Sequence, residues 1–351
     1  MNKTPAYAAA VAKAPLAPLF IERREPGPHE VLIEIVYCGV CHSDIHQVRD
    51  EWAAGIFPMV PGHEIVGRIA KVGDKVARFK VGDLAGVGCF VDSCRECPEC
   101  KAGLEQYCQV GPNFTYNSRE KDGKTPTYGG YSTRIVVDEQ YTLHVSPKLP
   151  LEGVAPLLCA GITTYNPLTR WGAGPGTRVA VVGMGGLGHM GVKIAAAMGA
   201  EVTVLSQGLS KEADGRAFGA VDYRATSDPA TFKELRRSFD LVLSTVSADL
   251  PVDRYLSLLR PFGALVTVGL PVRPQPVSFG ALCSGDKVVA GSNIGGIALT
   301  QEMLDFCARH GLGATVQTIA ADEVDAAYDR VVRSDVRYRF VIDTSTITPQ
   351  D

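Results

Sequence analysis

No stretch of this 351-residue chain stays apolar for the ~20 residues that a bilayer-spanning helix needs. Its first 20 residues also lack the make-up of an export signal. Lys3, Pro5, Lys13, Pro15 and Pro18 interrupt them, with no basic start, no unbroken apolar stretch and no small-residue cleavage site. The expected location is the cytoplasm. An excess of one charge is missing too: 35 Lys and Arg against 38 Asp and Glu leave a net charge of −3. That balance gives no reason to expect nucleic acid or an anionic membrane as partner. No internal repeat and no low-complexity segment is present. What remains is the composition of a globular protein, 46% hydrophobic and 21% charged, in a chain long enough for two domains.

The first 150 residues read as strands and turns. Val31–Val36 and Ile65–Val72 are β-rich runs, Gly73–Asp74 is a hairpin-type turn signal, and Val81–Val87 continues the pattern. This points to a barrel-like all-β core with long functional loops. From Arg178 the character changes. Arg178–Val182 and Glu201–Leu205 are continuous apolar strands of the kind buried on both faces. A helix over 189–198 lies between them, and 240–244 and 264–268 supply further strands. Strands alternating with helices indicate a parallel doubly wound α/β sheet. A helix over 301–309 and a closing strand, Arg339–Asp343, follow; a C-terminal stretch returning to the first domain would make that domain discontinuous.

Ten cysteines need an account. Without an export signal, disulfides are a poor one, and the spacing is uneven. Cys94, Cys97, Cys100 and Cys108 crowd into one polar, turn-rich segment, where four thiolates can close a tetrahedron around Zn²⁺ with no vacant position. Disulfides, free thiols and an iron–sulfur cluster are the other readings of such spacing. Elsewhere, Cys41-His42-Ser43-Asp44-x-His46 follows a strand, Gly62-His63-Glu64-x-x-Gly67 comes about twenty residues later, and Cys159 lies in Leu157-Leu158-Cys159-Ala160-Gly161. Each alone is a weak signal. Together Cys41, His63 and Cys159 offer two thiolates and one imidazole, which leaves a fourth metal position open to water or substrate.

These stretches, in this order and spacing, resemble the zinc-dependent medium-chain alcohol dehydrogenases. Cys41–Gln47, Pro58–Glu64, Ala155–Gly161 and Asp335–Val341 resemble the cinnamyl alcohol dehydrogenase branch. The likeness runs over essentially the whole chain. It implies a discontinuous GroES-like β-barrel catalytic domain over 1–155 and 297–351, and a Rossmann cofactor domain over 156–296. It implies two zinc ions per chain, with Cys41, His63 and Cys159 on the catalytic one and Glu64 close enough to approach it. Asp44 would accept the second ring N–H of His63. Ser43 would bond the substrate oxygen, and His46 would end the proton relay. The zinc would polarise a carbonyl toward hydride. His42 and Arg339 would lie near the cofactor pyrophosphate and Thr163 beside the nicotinamide. Trp52, Phe57, Phe114, Leu270, Asn293 and Ile294 would line the substrate pocket. A homodimer, pairing near Val288–Ile294, is expected by the same analogy.

Gly183-Met184-Gly185-Gly186-Leu187-Gly188 follows a strand and opens a helix, the context that makes G-x-G-x-x-G a dinucleotide-binding turn. An NAD-specific turn usually has Asp or Glu at the end of the second strand. Here that acid is lacking, and Ser206, Ser210 and Lys211 stand there instead, which favours NADP(H). Phe114 stands where the plant lignin enzymes commonly have Trp, and Asn293 where an aromatic is common. The expected function is therefore an NADP(H)-dependent aldehyde reductase acting on small aromatic and medium aliphatic alcohol/aldehyde pairs. A reductase of iminium or activated C=C bonds and a non-catalytic zinc-stabilised binding protein are the alternatives.

Overall fold

In the computed structural model, which describes residues 2–52, 54–271 and 273–348, the chain divides into two units. One comprises 1–159 and 295–351, the other 160–294. The first unit opens with an antiparallel hairpin of β1 (Asn2–Ala9) and β2 (Leu16–Arg23). It then builds a sheet on β3 (Glu30–Gly39), β4 (Ile65–Val72) and β5 (Leu84–Val87). Val31, Ile33, Ile65 and Val66 are fully buried, as β-branched residues in the middle of a sheet should be. β6 (Phe90–Asp92) and β7 (Asn113–Phe114) pair separately, while β8 (Arg134–Asp138) and β9 (Leu143–His144) join the main sheet.

The second unit holds six parallel strands: β10 (Arg178–Val182), β11 (Glu201–Ser206), β12 (Asp222–Ala225), β13 (Phe239–Ser244), β14 (Leu259–Thr267) and β15 (Val288–Gly291). Their order is β12-β11-β10-β13-β14-β15, so the chain reverses direction across the sheet between β10 and β13. Ligands of such sheets bind outside the strand ends at that reversal. Val179, Ala180 and Val181 are wholly buried, because helices cover both faces. Returning to the first unit, β16 (Val316–Ile319) pairs with β17 (Arg339–Asp343), and β17 pairs antiparallel with β3.

Gly73–Asp74 does not close a tight hairpin. The Gly73 N–H is taken by Glu30 O (2.9 Å) and that of Lys75 by Pro28 O (2.8 Å), so the segment lies along the loop before β3. β5 accordingly starts only at Leu84. The helix expected over 301–309 runs from Ile297 to His310, starting after Gly296 and ending at Gly311 with φ +65°.

Gly67 marks a point where the backbones of the main sheet approach closely. A Cβ there would stand 2.1 Å from Glu34 O, where β3 and β4 cross a register shift. Gly67→Ala is expected to cost about 1–3 kcal/mol through overpacking. A melting point several degrees lower by calorimetry, with the second unit's unfolding unaffected, checks this.

Candidate active site and metal centres

Cys41 stands at the end of the loop after β3, where the chain turns into the helix His42–Val48. His63 and Glu64 immediately precede β4, and Cys159 follows the single 3-10 turn Ala155–Leu158. These segments bring one ligand atom each from Cys41, His63, Glu64 and Cys159 within 4.8 Å of one another, all buried. The Cys41 and Cys159 sulfurs are 3.8 Å apart and not bonded as a disulfide. Thiolates at about 2.3 Å from zinc and a tetrahedral angle are separated by about 3.8 Å, so the pair fits that ion. Glu64 adds a second sign of fit: its Oε2 is buried without a hydrogen-bond partner.

Asp44 organises this cluster. Fully buried, it accepts the N–H of Cys41 (2.8 Å) and of Gly62 (3.1 Å) and lies 3.3 Å from Nδ1 of His63. With Nδ1 taken, Nε2 is the ring atom left for a metal. Burial alone would lower the His63 pKa, but the charges of Cys89 and Asp44 outweigh it and hold it well above the usual histidine value. A hydrogen bond from Cys159 and the neighbouring His63 hold the Cys41 thiol well below its ordinary range, with burial opposing them. Its partner Cys159 is pushed the other way, well above the ordinary thiol range, by its contacts with Cys41 and Cys89 and by burial. Burial lifts Glu64 to about 7 against the pull of Arg339, with which it forms an ion pair.

The helix His42–Val48 places Ser43 and His46 one turn apart. Ser43 Oγ is 3.6 Å from Cys41 Sγ. His46 lies 2.5 Å by Nδ1 from Glu51 Oε2 and stacks on Trp52, ring centroids 4.7 Å apart. His42 is 5.4 Å from His46 between ring centres, and burial lowers its pKa. Glu51 was not anticipated from sequence, since a loop glutamate carries no motif. Nor were Cys89, whose thiol lies 3.9 Å from Leu158 O, and Tyr116, whose ring lies nearly parallel to His63 at 5.8 Å.

Cys94, Cys97, Cys100 and Cys108 form the second cluster, with no disulfide among them. Backbone N–H groups point at three of the sulfurs: Cys97 N at Cys94, Cys100 N at Cys97 and Cys94 N at Cys108, at 3.4–3.5 Å. Such donors suit thiolates. Cys94 and Cys100 sulfurs are again 3.8 Å apart, and all four positions are protein sulfur, so the site closes around its ion. Arg95 ties the loop to Asp92 (2.9 Å) and Asp138 (2.8 Å).

In the second unit, Gly183 has φ +93°, and a Cβ on Gly188 would stand 2.0 Å from Gly183 O. Both positions need glycine for the turn to close. Gly185 is open to solvent, Gly186 and Leu187 are half-buried, and the helix Gly188–Ala197 begins directly behind them. Ser206 ends β11, and Lys211 donates to Met184 O (3.1 Å), inside the glycine turn. Ser210 lies in the short bend between them. Thr163 is buried in the helix Ala160–Arg170. Arg339, read from sequence as a pyrophosphate contact, is buried on β17 against Glu64. Of the pocket residues, Trp52, Phe57 and Phe114 belong to the first unit. Leu270, Asn293 and Ile294 belong to the second, where Asn166 donates to Ile294 O.

Metal analysis of the purified protein should find two zinc ions per chain. Cys159→Ala is expected to lose one ion with little change in melting temperature. Cys100→Ser should lose the other and melt earlier, because the polar lobe has little core of its own.

Residues 27–147 match the alcohol dehydrogenase GroES-like domain and 186–309 the zinc-binding dehydrogenase domain. NADP-dependent alcohol dehydrogenase C of Mycobacterium bovis is 57% identical over 347 residues, covering 99% of this chain and 100% of its own. Aldehyde reductase YahK of Escherichia coli is 51% identical over 349 residues, 99% of each chain. Among solved structures, a cinnamyl alcohol dehydrogenase of Sorghum bicolor superposes with a TM-score of 0.95 at 40% identity, over 100% of both chains. The enzyme CAD from Helicobacter pylori, complexed with NADP(H), gives 0.91 at 42% over 98% of each. With two metal-ligand clusters, a glycine turn behind a parallel sheet and relatives matched end to end, the chain belongs to the zinc-dependent medium-chain alcohol dehydrogenases.

Proposed function

We propose that this enzyme uses NADP(H) to interconvert primary alcohols and aldehydes, acting chiefly as a reductase of aromatic and medium aliphatic aldehydes. The observation that carries the reading is the open cluster of Cys41, His63 and Cys159 beside a helix that presents Ser43 and His46 one turn apart. Zinc bound there supplies a Lewis acid that polarises the substrate carbonyl. Cys41, His63 and Cys159 would hold it, with Glu64 in reserve. Ser43 bonds the substrate oxygen and passes it a proton. His46 resupplies Ser43 from solvent, and Glu51, against its Nδ1, orients the ring. Buried Asp44 keeps His63 in one tautomer.

The turn Gly183–Gly188, with the helix N-terminus behind it, receives the cofactor pyrophosphate. Buried Nε of Arg339 has no hydrogen-bond partner and is available to an anionic group, in keeping with its assignment to the phosphates. Ser206, Ser210 and Lys211 receive the 2′-phosphate, and the side chain that follows Ser206 is Gln207, not a carboxylate that would repel it. His42 and Thr163 are assigned to the cofactor; Trp52, Phe57 and Phe114 of the first unit, and Leu270, Asn293 and Ile294 of the second, are assigned to the substrate. All ten cysteines are unpaired, which suits a reducing compartment such as the cytoplasm. β15 is an edge strand with Val288 and Val289 exposed at 44% and 38%, and a second copy pairing there would make a homodimer.

NADPH oxidation over an aldehyde panel, with NADH in parallel, tests the reading; no turnover of any aldehyde would sink it. Lys211→Ala should raise the KM for NADPH roughly ten-fold while leaving that for NADH near its starting value. Ser43→Ala should cut kcat on the order of 10²-fold. Val289→Asp should shift the sedimenting species from dimer to monomer.

A further inference from the structure

Asp44 has one more partner than orientation of His63 requires. Its Oδ1 faces Gly62 N–H and the His63 ring, and its Oδ2 takes the Cys41 N–H and the hydroxyl of Tyr131 at 3.4 Å. Each carboxylate oxygen therefore meets two donors, the full complement of an ionised aspartate. Tyr131 in turn accepts the hydroxyl hydrogen of Tyr328 at 3.4 Å. Both phenols are buried, at 0% and 4% exposure, and their two hydrogen bonds form a chain that ends on the carboxylate. Phenylalanine would pack at those positions without the cost of desolvating a hydroxyl. Tyr328 sits on the helix Val324–Val332, which also bonds Leu16 N through Asp325 (3.1 Å) and packs on the helix His42–Val48.

We propose that Tyr131 and Tyr328 are positioning residues for the catalytic metal. They fix the rotation of the Asp44 carboxylate and, through it, the angle at which His63 presents Nε2. The C-terminal helix is thereby coupled to the metal site through three side chains, Tyr328, Tyr131 and Asp44. This rests on the reading of Cys41, His63 and Cys159 as zinc ligands. Contacts of 3.4 Å are long for O–H···O bonds. The effect is accordingly smaller than the 10–100-fold loss of metal affinity typical when a histidine's direct partner is removed.

The test follows zinc release from the two-zinc enzyme under a chelator, read by a metallochromic dye. The catalytic ion is identified as the one missing from Cys159→Ala, and the Cys94–Cys108 ion serves as internal reference. Tyr131→Phe should release the catalytic ion roughly three- to ten-fold faster, with the reference ion and the melting temperature unchanged. Tyr328→Phe should act in the same direction but less, and the double variant no more than Tyr131→Phe alone, because the line is broken at its first link. Tyr255→Phe, a buried tyrosine of the second unit, should change neither rate. If Asp44→Asn accelerates release and Tyr131→Phe does not, the tyrosine line is refuted while the metal site stands. If Asp44→Asn is also silent while Cys159→Ala lacks one ion, Asp44 does not position His63 and the proposal falls; if Cys159→Ala keeps both ions, the metal reading fails and the proposal with it. Equal acceleration of both ions with a lowered melting point would show lost packing and overturn the proposal too.

Discussion

One buried carboxylate holds the active site together. Asp44 accepts the N–H of Cys41, which starts its own helix, the N–H of Gly62, which precedes β4, and the ring of His63. Two of the candidate metal ligands are thus tied to a single side chain. Burying an ionised aspartate costs several kcal/mol unless its lone pairs are satisfied, and here all are. The same satisfaction makes the site rigid, since no donor can leave without stranding charge in a medium of low dielectric.

Around this hub the charges are arranged in opposing pairs. Glu64 and Arg339 are both buried and face one another, so neither is stranded. Cys41 is held toward its thiolate form by neighbours on two sides, which is the form a metal requires. The four-cysteine lobe follows another logic. It has backbone N–H donors aimed at its sulfurs and no vacant position, so its ion substitutes for a core that the polar segment cannot build. One site is open and the other closed, because one offers two thiolates and a histidine, with Glu64 held by Arg339, while the other has a complete set of sulfurs.

Much of this was legible in the sequence. The strand Arg178–Val182 and the closing strand Arg339–Asp343 were readable to the residue, since continuous apolar runs bounded by polar turns leave little choice. The glycine turn was readable because Gly183 and Gly188 each answer a steric demand that no other residue meets. Gly73–Asp74 was misread as a hairpin, since a local turn signal does not reveal that its N–H groups are claimed by Pro28 and Glu30, far back in the chain. Glu51, Cys89, Tyr116, Tyr131 and Tyr328 carried no signal at all. Their roles depend on neighbours distant in sequence, and ordinary residue types give no hint of that.

The sequence by itself determined the residue types and their order: two sets of metal-binding side chains, a phosphate-binding turn and a second strand without its terminal acid. Those are properties of local spacing, and local spacing is what a linear chain displays. Only the tertiary structure decided which side chains share a proton or a charge. Cys159 meets Cys41 across 118 residues, and Arg339 meets Glu64 across 275. Such pairings follow from sheet register and burial, where Coulomb and hydrogen-bond energies are large because water is excluded. The candidate metal ligands could be named from the chain alone, but the shell that holds them in place exists only once β3, β4 and β17 have come together.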